Sequence, residues 1–151
     1  MENTSTKSSS HAVFPIRLHL VLVTKYRRKV LTEEMRAFMK ETFVDILDSR
    51  RCHLIEFGGE DDHVHLLLEI HPALDISQLV NDLKSASSRR VRGQCKDHIA
   101  TFYWKPLFWN RAYYIGSIGS VSLETVRRYV QQQGTKEKET KVTKATTKPS
   151  P

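Results

Sequence analysis

The spacing of apolar positions changes along the chain, and each change marks an element. From Phe14 to Val23 it alternates, with Leu18, Leu20 and Leu22 on one face and His19, Val21 and Val23 on the other, which predicts a strand. The strand runs into the basic stretch Lys25-Tyr26-Arg27-Arg28-Lys29. From Thr32 to Ser49 the period becomes helical through Met35, Phe38, Met39, Phe43, Ile46 and Leu47, with Thr32 placed to cap and Glu33 and Glu34 in the first turn. His53–Phe57 and His63–Ile70 read as two strands, and Gly58-Gly59-Glu60-Asp61 between them reads as the turn of a hairpin. A second helix is expected from Asp75 to about Arg92, with Asp75 and Gln78 as a capping-box variant and Ile76, Leu79, Val80 and Leu83 facing inward. Gly93 to Arg111 is aromatic and irregular; a short strand over Tyr113–Ile118 and a last helix, capped by Ser122 and running to about Gln133, follow. The order strand, helix, strand, strand, helix, strand, helix predicts an α+β, ferredoxin-like split βαβ sandwich, with helices packed on an antiparallel sheet.

Composition sets the limits of this domain. Residues 1–12 and 134–151 are polar, rich in Ser, Thr and Lys, and predict flexible tails around a domain at 13–133. The 151 residues carry 24 Lys plus Arg against 17 Asp plus Glu, a formal charge of +7. Five lysines against Glu137 and Glu139 put +3 of this in the C-terminal tail and leave +4 on the rest. Such an excess suits nucleic acid or an acidic membrane surface. No apolar run approaches the roughly 18 residues of a membrane helix, and the start lacks the apolar core of a signal peptide, so a cytoplasmic protein is expected. Cys52 and Cys95 make neither a disulfide framework nor a C-x-x-C knuckle and read as free thiols.

The densest chemistry is Asp62-His63-Val64-His65. In a strand, His63 and His65 share one face while Val64, Leu66 and Leu68 take the other, so two imidazoles stand close enough to share one divalent cation. Two half-exposed structural histidines would give the same pattern. In the last helix Leu123, Val126 and Val130 form an inward stripe, and Tyr129 and Gln133 lie one turn apart on a neighbouring face. A tyrosine there can attack a phosphodiester, with Arg127 and Arg128 beside it for phosphate, or it can simply pack against the sheet. His19 would approach the histidine pair if it shared their face, or serve as a hydrogen-bonded structural residue; Asp62 fits either the turn or a bond to His63.

Taken together, these segments resemble the single-tyrosine HUH transposases of minimal bacterial insertion sequences, the IS-two-hundred-like transposases. The resemblance spans Phe14 to Gln133 and rests on HLVLVTKYRRKVL from His19, DHVHLLLEI from Asp62, LVNDLKSASSRRVR from Leu79, FWNRAYY from Phe108 and GSVSLETVRRYVQQQ from Gly119. Asp61 departs from the pattern, standing where members often carry Pro or another small residue. The resemblance implies that Tyr129 is the nucleophile and that His63, His65 and Gln133 hold a divalent metal ion, Mg²⁺ or Mn²⁺. It further implies a 5′-phosphotyrosine intermediate, no nucleotide cofactor, single-stranded DNA with hairpins at the element ends as partner, and a homodimer. In such a dimer one subunit's tyrosine helix can complete the other's site, and Gly116 and Gly119 would permit a mobile connection. Candidate DNA contacts are Lys25, Arg27, Arg28, Lys84, Arg89, Arg90, Arg111, Arg127 and Arg128, with aromatics between Tyr103 and Trp109 available for stacking. Two alternatives differ in class: a domesticated protein that binds hairpins without transposing, and a metal-dependent hydrolase for which Tyr129 is dispensable.

Overall fold

The computed structural model describes residues 15–119 and 123–132. Strand β1 (Ile16–Thr24) leads through a single 3-10 turn (Lys25–Arg27) to helix α1 (Glu33–Ser49). The hairpin of β2 (His53–Gly59) and β3 (His63–Ile70) is followed by α2 (Ile76–Gln94), a short α3 (Lys96–Ala100) and β4 (Trp109–Ser117). A final helix, α4, occupies 123–132. The strands form one sheet in the order β2-β3-β1-β4 with every pairing antiparallel, the α+β arrangement expected from the element order.

Alternation decides which face carries what. Leu18, Leu20 and Leu22 of β1 stand opposite Leu68, Leu66 and Val64 of β3, and these six join Met35, Met39 and Phe43 of α1 and Leu79, Val80 and Leu83 of α2 in the main core. His19 and Val21, one residue out of phase, therefore share the opposite face with His63, His65 and Leu67. Leu67 and Val130 are fully buried yet stand outside that core, because α4 adds a second, smaller apolar contact on this opposite face. Both helix starts hold as expected: Thr32 Oγ1 accepts from Met35 N at 3.1 Å, and the Asp75 carboxylate accepts from Gln78 N at 3.1 Å.

Several boundaries differ from the sequence expectation. Gly58 and Gly59 are strand residues, paired with His65 and Val64, and the turn is left to Glu60–Asp62. Neither glycine has positive φ; both serve close approach, since a Cβ on Gly59 would meet His63 O at 2.4 Å and one on Gly58 would meet Val130 O at 2.8 Å. Strand β4 begins at Trp109 rather than Tyr113, because Thr24 pairs with Trp109 across a register shift. The aromatic segment also contains α3, which buries Ile99 and is too short to show a helical period. The Ser122 cap, Gln133 and the tails 1–12 and 134–151 lie outside the described residues.

Candidate active site

His63 and His65 are both buried, at 7% and 5% exposure, with ring centroids 4.9 Å apart and planes nearly perpendicular at 82°. Each has its Nδ1 held. His63 Nδ1 is 2.7 Å from Asp62 Oδ1, and His65 Nδ1 is 2.8 Å from His19 Nε2. The opposite nitrogen of His63, Nε2, has Glu60 Oε1 at 3.8 Å. Glu60, Asp62 and His63 bring their ligand atoms within 4.8 Å of one another. Burial raises the Asp62 pKa, but the hydrogen bond and charge of His63, together with Arg27, outweigh it and hold the carboxyl below its usual value. Burial also lowers the pKa of His19, which favours its neutral form. The group that converges at Glu60, Asp62 and His63, two carboxylates and one imidazole, has donor chemistry that suits a divalent cation; His65, beside His63 on the same strand face, is not part of it.

Helix α4 brings the tyrosine to this pair. Val130 is buried with its backbone against Gly58, directly beside His65 in the sheet register. Arg127 Nε and Gln131 Nε2 both donate to Glu56 Oε2, at 3.3 and 2.7 Å, and tie the helix to the edge strand. Tyr129 points toward the histidines, its ring edge-on to His65 with centroids 5.9 Å apart, while 53% of the residue stays exposed. A half-exposed phenol next to the buried histidines can reach a substrate in solution. Gln133, expected to complete the donor set, lies outside the described residues.

The basic candidates separate into groups. Arg27 is exposed and bonds Asp62 through Nη2 at 3.3 Å, which places the turn after β1 beside the site. That turn is strained, with Tyr26 at φ 61° and Arg27 at φ 52°, and is fastened by Tyr103 Oη donating to Lys25 O at 2.6 Å. Arg28 bonds Phe102 O and lies between the Tyr26 and Tyr103 rings, at 5.4 and 5.7 Å from their centroids. Tyr26 and Trp104 are exposed, at 64% and 84%, and each ring carries a cation, Lys25 and Arg28 at 5.4 Å from the Tyr26 centroid and Lys105 at 4.4 Å from that of Trp104. Lys84, Arg89 and Arg92 line a cavity of about 480 Å³ with Phe108 and Trp109. Lys84 donates to Asn110 O and Arg111 O, and burial, Arg111 and Lys25 lower its pKa. Arg111 is exposed on β4, and Arg128 is exposed with Glu124 at 3.7 Å. Arg90 is different: it bonds Thr42 at 2.9 Å and Glu41 at 2.8 Å, tying α2 to α1.

Glu56, Glu60 and Gly58 are site residues that the sequence pattern did not single out. An acidic residue on an edge strand and a glycine beside a turn have no spacing signature of their own.

Comparison with known proteins gives a consistent result. A family model described as IS200-like transposase matches residues 12–133. The ISDra2 transposase TnpA of Deinococcus radiodurans is 31% identical over 128 residues, covering 83% of this chain and 89% of the relative. The Salmonella typhimurium transposase for insertion sequence element IS200 is 28% identical over 127 residues, covering 84% and 82%. Among solved structures, one from Deinococcus radiodurans described as a transposase superposes with a TM-score of 0.66 at 28% identity, covering 85% of this chain and 98% of that one. A REP-associated tyrosine transposase bound to a REP hairpin has a TM-score of 0.62 at 11% identity over 84% of this chain and 72% of its own, a likeness of fold alone. Among the described residues no helix is long and apolar enough to cross a membrane.

Proposed function

The chain belongs to the IS200-like transposase family, and from that premise we propose that it cleaves and rejoins single-stranded DNA at the ends of its insertion sequence through a covalent bond to Tyr129. The observation that carries the reading is the edge-on approach of the half-exposed Tyr129 ring to His65 at 5.9 Å, on a helix anchored to the same sheet. The Tyr129 phenol oxygen attacks the scissile phosphorus in line, its proton passing to solvent. The P–O3′ bond breaks, and the leaving oxygen takes up a proton. The products are a 5′-phosphotyrosine linkage and a free 3′-hydroxyl. Because the linkage keeps a phosphodiester bond, a 3′-hydroxyl of another strand can attack it, restore the DNA backbone and release the phenol, with no nucleotide cofactor.

His63 and His65, with Gln133, are the residues that would hold a divalent cation, Mg²⁺ or Mn²⁺. When bound, such an ion supplies a Lewis acid that offsets charge developing on the scissile phosphate. Arg27 and Arg28 beside the Asp62 turn, with Arg127 and Arg128 on α4, are positioned to hold the flanking backbone. Lys84, Arg89 and Arg111 offer a second basic surface near Trp109. Exposed aromatic rings flanked by cations, Tyr26 with Lys25 and Arg28 and Trp104 with Lys105, suit unpaired bases and their phosphates, so single-stranded DNA carrying hairpins is the substrate class these surfaces fit. The hairpin bound by the fold relative agrees with this. Among the described residues β4 is an edge strand of the sheet with Tyr113 and Tyr114 exposed, and such an edge suits pairing in a homodimer.

The test is incubation of purified protein with Mn²⁺ and labelled single-stranded oligonucleotides from the element ends. A protein-linked product on a denaturing gel that is lost in Tyr129→Phe and in His63→Ala is expected. Tight binding without any adduct would turn the reading toward a hairpin-binding protein, and cleavage that survives Tyr129→Phe would turn it toward a hydrolase.

A further inference from the structure

One histidine outside the H-x-H motif reaches the site. The β1–β3 register sets Val21 opposite His65 and brings His19 to the same face two residues away. His19 Nε2 lies 2.8 Å from His65 Nδ1, the two ring planes are within 17° of each other with centroids 5.0 Å apart, as suits an in-plane bond between imidazoles, and Tyr114 meets the His19 ring edge-on at 5.8 Å. A bond between two imidazole nitrogens carries one proton, so its direction fixes both tautomers. If His19 donates, the proton of a neutral His65 sits on Nε2. If His19 accepts, that proton sits on Nδ1 and Nε2 carries the lone pair. Asp62 already imposes the second arrangement on His63, because an ionised carboxylate at 2.7 Å from Nδ1 can only accept.

We propose that His19 is a positioning residue that accepts the Nδ1–H of His65, holding His65 in the tautomer whose Nε2 faces a cation alongside His63. This rests on the reading of His63 and His65 as metal ligands. Asp62 and His19 then play matching parts, one a charged acceptor and one neutral, each fixing the tautomer and ring plane of one ligand.

The experiment uses the full chain with ¹⁵N-labelled histidine, first without metal and then titrated with Mn²⁺. Long-range ¹⁵N–¹H spectra above the histidine titration range should show His65 protonated at Nδ1. In His19→Phe, which keeps a ring but removes the acceptor, that signature should be lost and Mn²⁺ binding should weaken by about 10- to 100-fold. His19→Gln, whose side-chain carbonyl can accept the same proton, should restore both, and a mere packing role would not be rescued in this way. His65 protonated at Nε2 in the unaltered protein, or unchanged Mn²⁺ affinity in His19→Phe, would overturn the assignment. An unaltered protein with the expected tautomer that binds no Mn²⁺ would instead overturn the metal reading and leave the His19–His65 bond standing.

Discussion

Replacing Gly58 with alanine puts a methyl group where α4 rests on the sheet. An added Cβ would sit 2.8 Å from Val130 O and 2.9 Å from Val130 Cγ1, and the nearest obstacle is backbone, which cannot rotate away. Raising 2.8 Å to the 3.4 Å at which such contacts become ordinary moves the helix outward by about 0.6 Å. Tyr129 is the residue next to Val130 and moves with it. A misplacement of about 1 Å can slow a reaction by up to about 100-fold, so a shift of this size should slow adduct formation on the order of 10-fold. The sheet itself should tolerate the change, because Gly58 already has ordinary strand geometry and alanine loses less backbone entropy than glycine on folding. The assay is the single-turnover rate of protein–DNA adduct formation, read beside the melting temperature. Gly93→Ala is the control: nothing lies within 4 Å of its added Cβ, so it should keep the rate and gain roughly 0.4–1 kcal/mol in stability. An unaltered rate in Gly58→Ala would refute the claim that this contact sets the position of the tyrosine.

Other consequences concern binding and stability. Arg89→Ala should weaken binding to single-stranded DNA and flatten its salt dependence by about 0.7 in log–log slope per lost phosphate contact, whereas Arg90→Ala should leave that slope alone and lower the melting temperature, since Arg90 ties α2 to Thr42 and Glu41. Salt titrations and melts on both variants check this. Burial raises the Tyr103 phenol pKa above its usual value near 10, so the unfolded chain ionises first and stability should fall as pH climbs past about 10. In Tyr103→Phe that alkaline loss should shrink, with a cost of about 1 kcal/mol at neutral pH from the missing bond to Lys25 O, as denaturant melts across pH would show.

What could be read in the sequence was local or periodic. The caps at Thr32 and Asp75 are bonds spanning three residues, and they form where the side-chain chemistry allows. The shared face of His63 and His65, and their separation from Val64, Leu66 and Leu68, follow from strand alternation alone. What escaped depends on pairing across the fold. Gly58-Gly59 carries the composition of a turn, but its glycines answer to α4 and to the β3 backbone, which only the tertiary arrangement supplies. The early start of β4 needs Thr24 to find Trp109, and the role of Arg90 needs α1 to lie beside it. His19 could be placed on a face by alternation, but its bond to His65 spans 46 residues and waits on the β1–β3 register. The same is true of Glu56, whose partners Arg127 and Gln131 lie 71 and 75 residues away.

The central claim is that one tyrosine carries the DNA strand between cleavage and rejoining. The most direct measurement digests the adduct formed with a single-stranded end, isolates the nucleotide-linked peptide and locates the link by tandem mass spectrometry. The chain has five tyrosines, at 26, 103, 113, 114 and 129, so the site is resolvable. A 5′-phosphate ester on Tyr129 is the predicted result. A link to any other residue, or cleaved DNA with no linked peptide, would contradict the account.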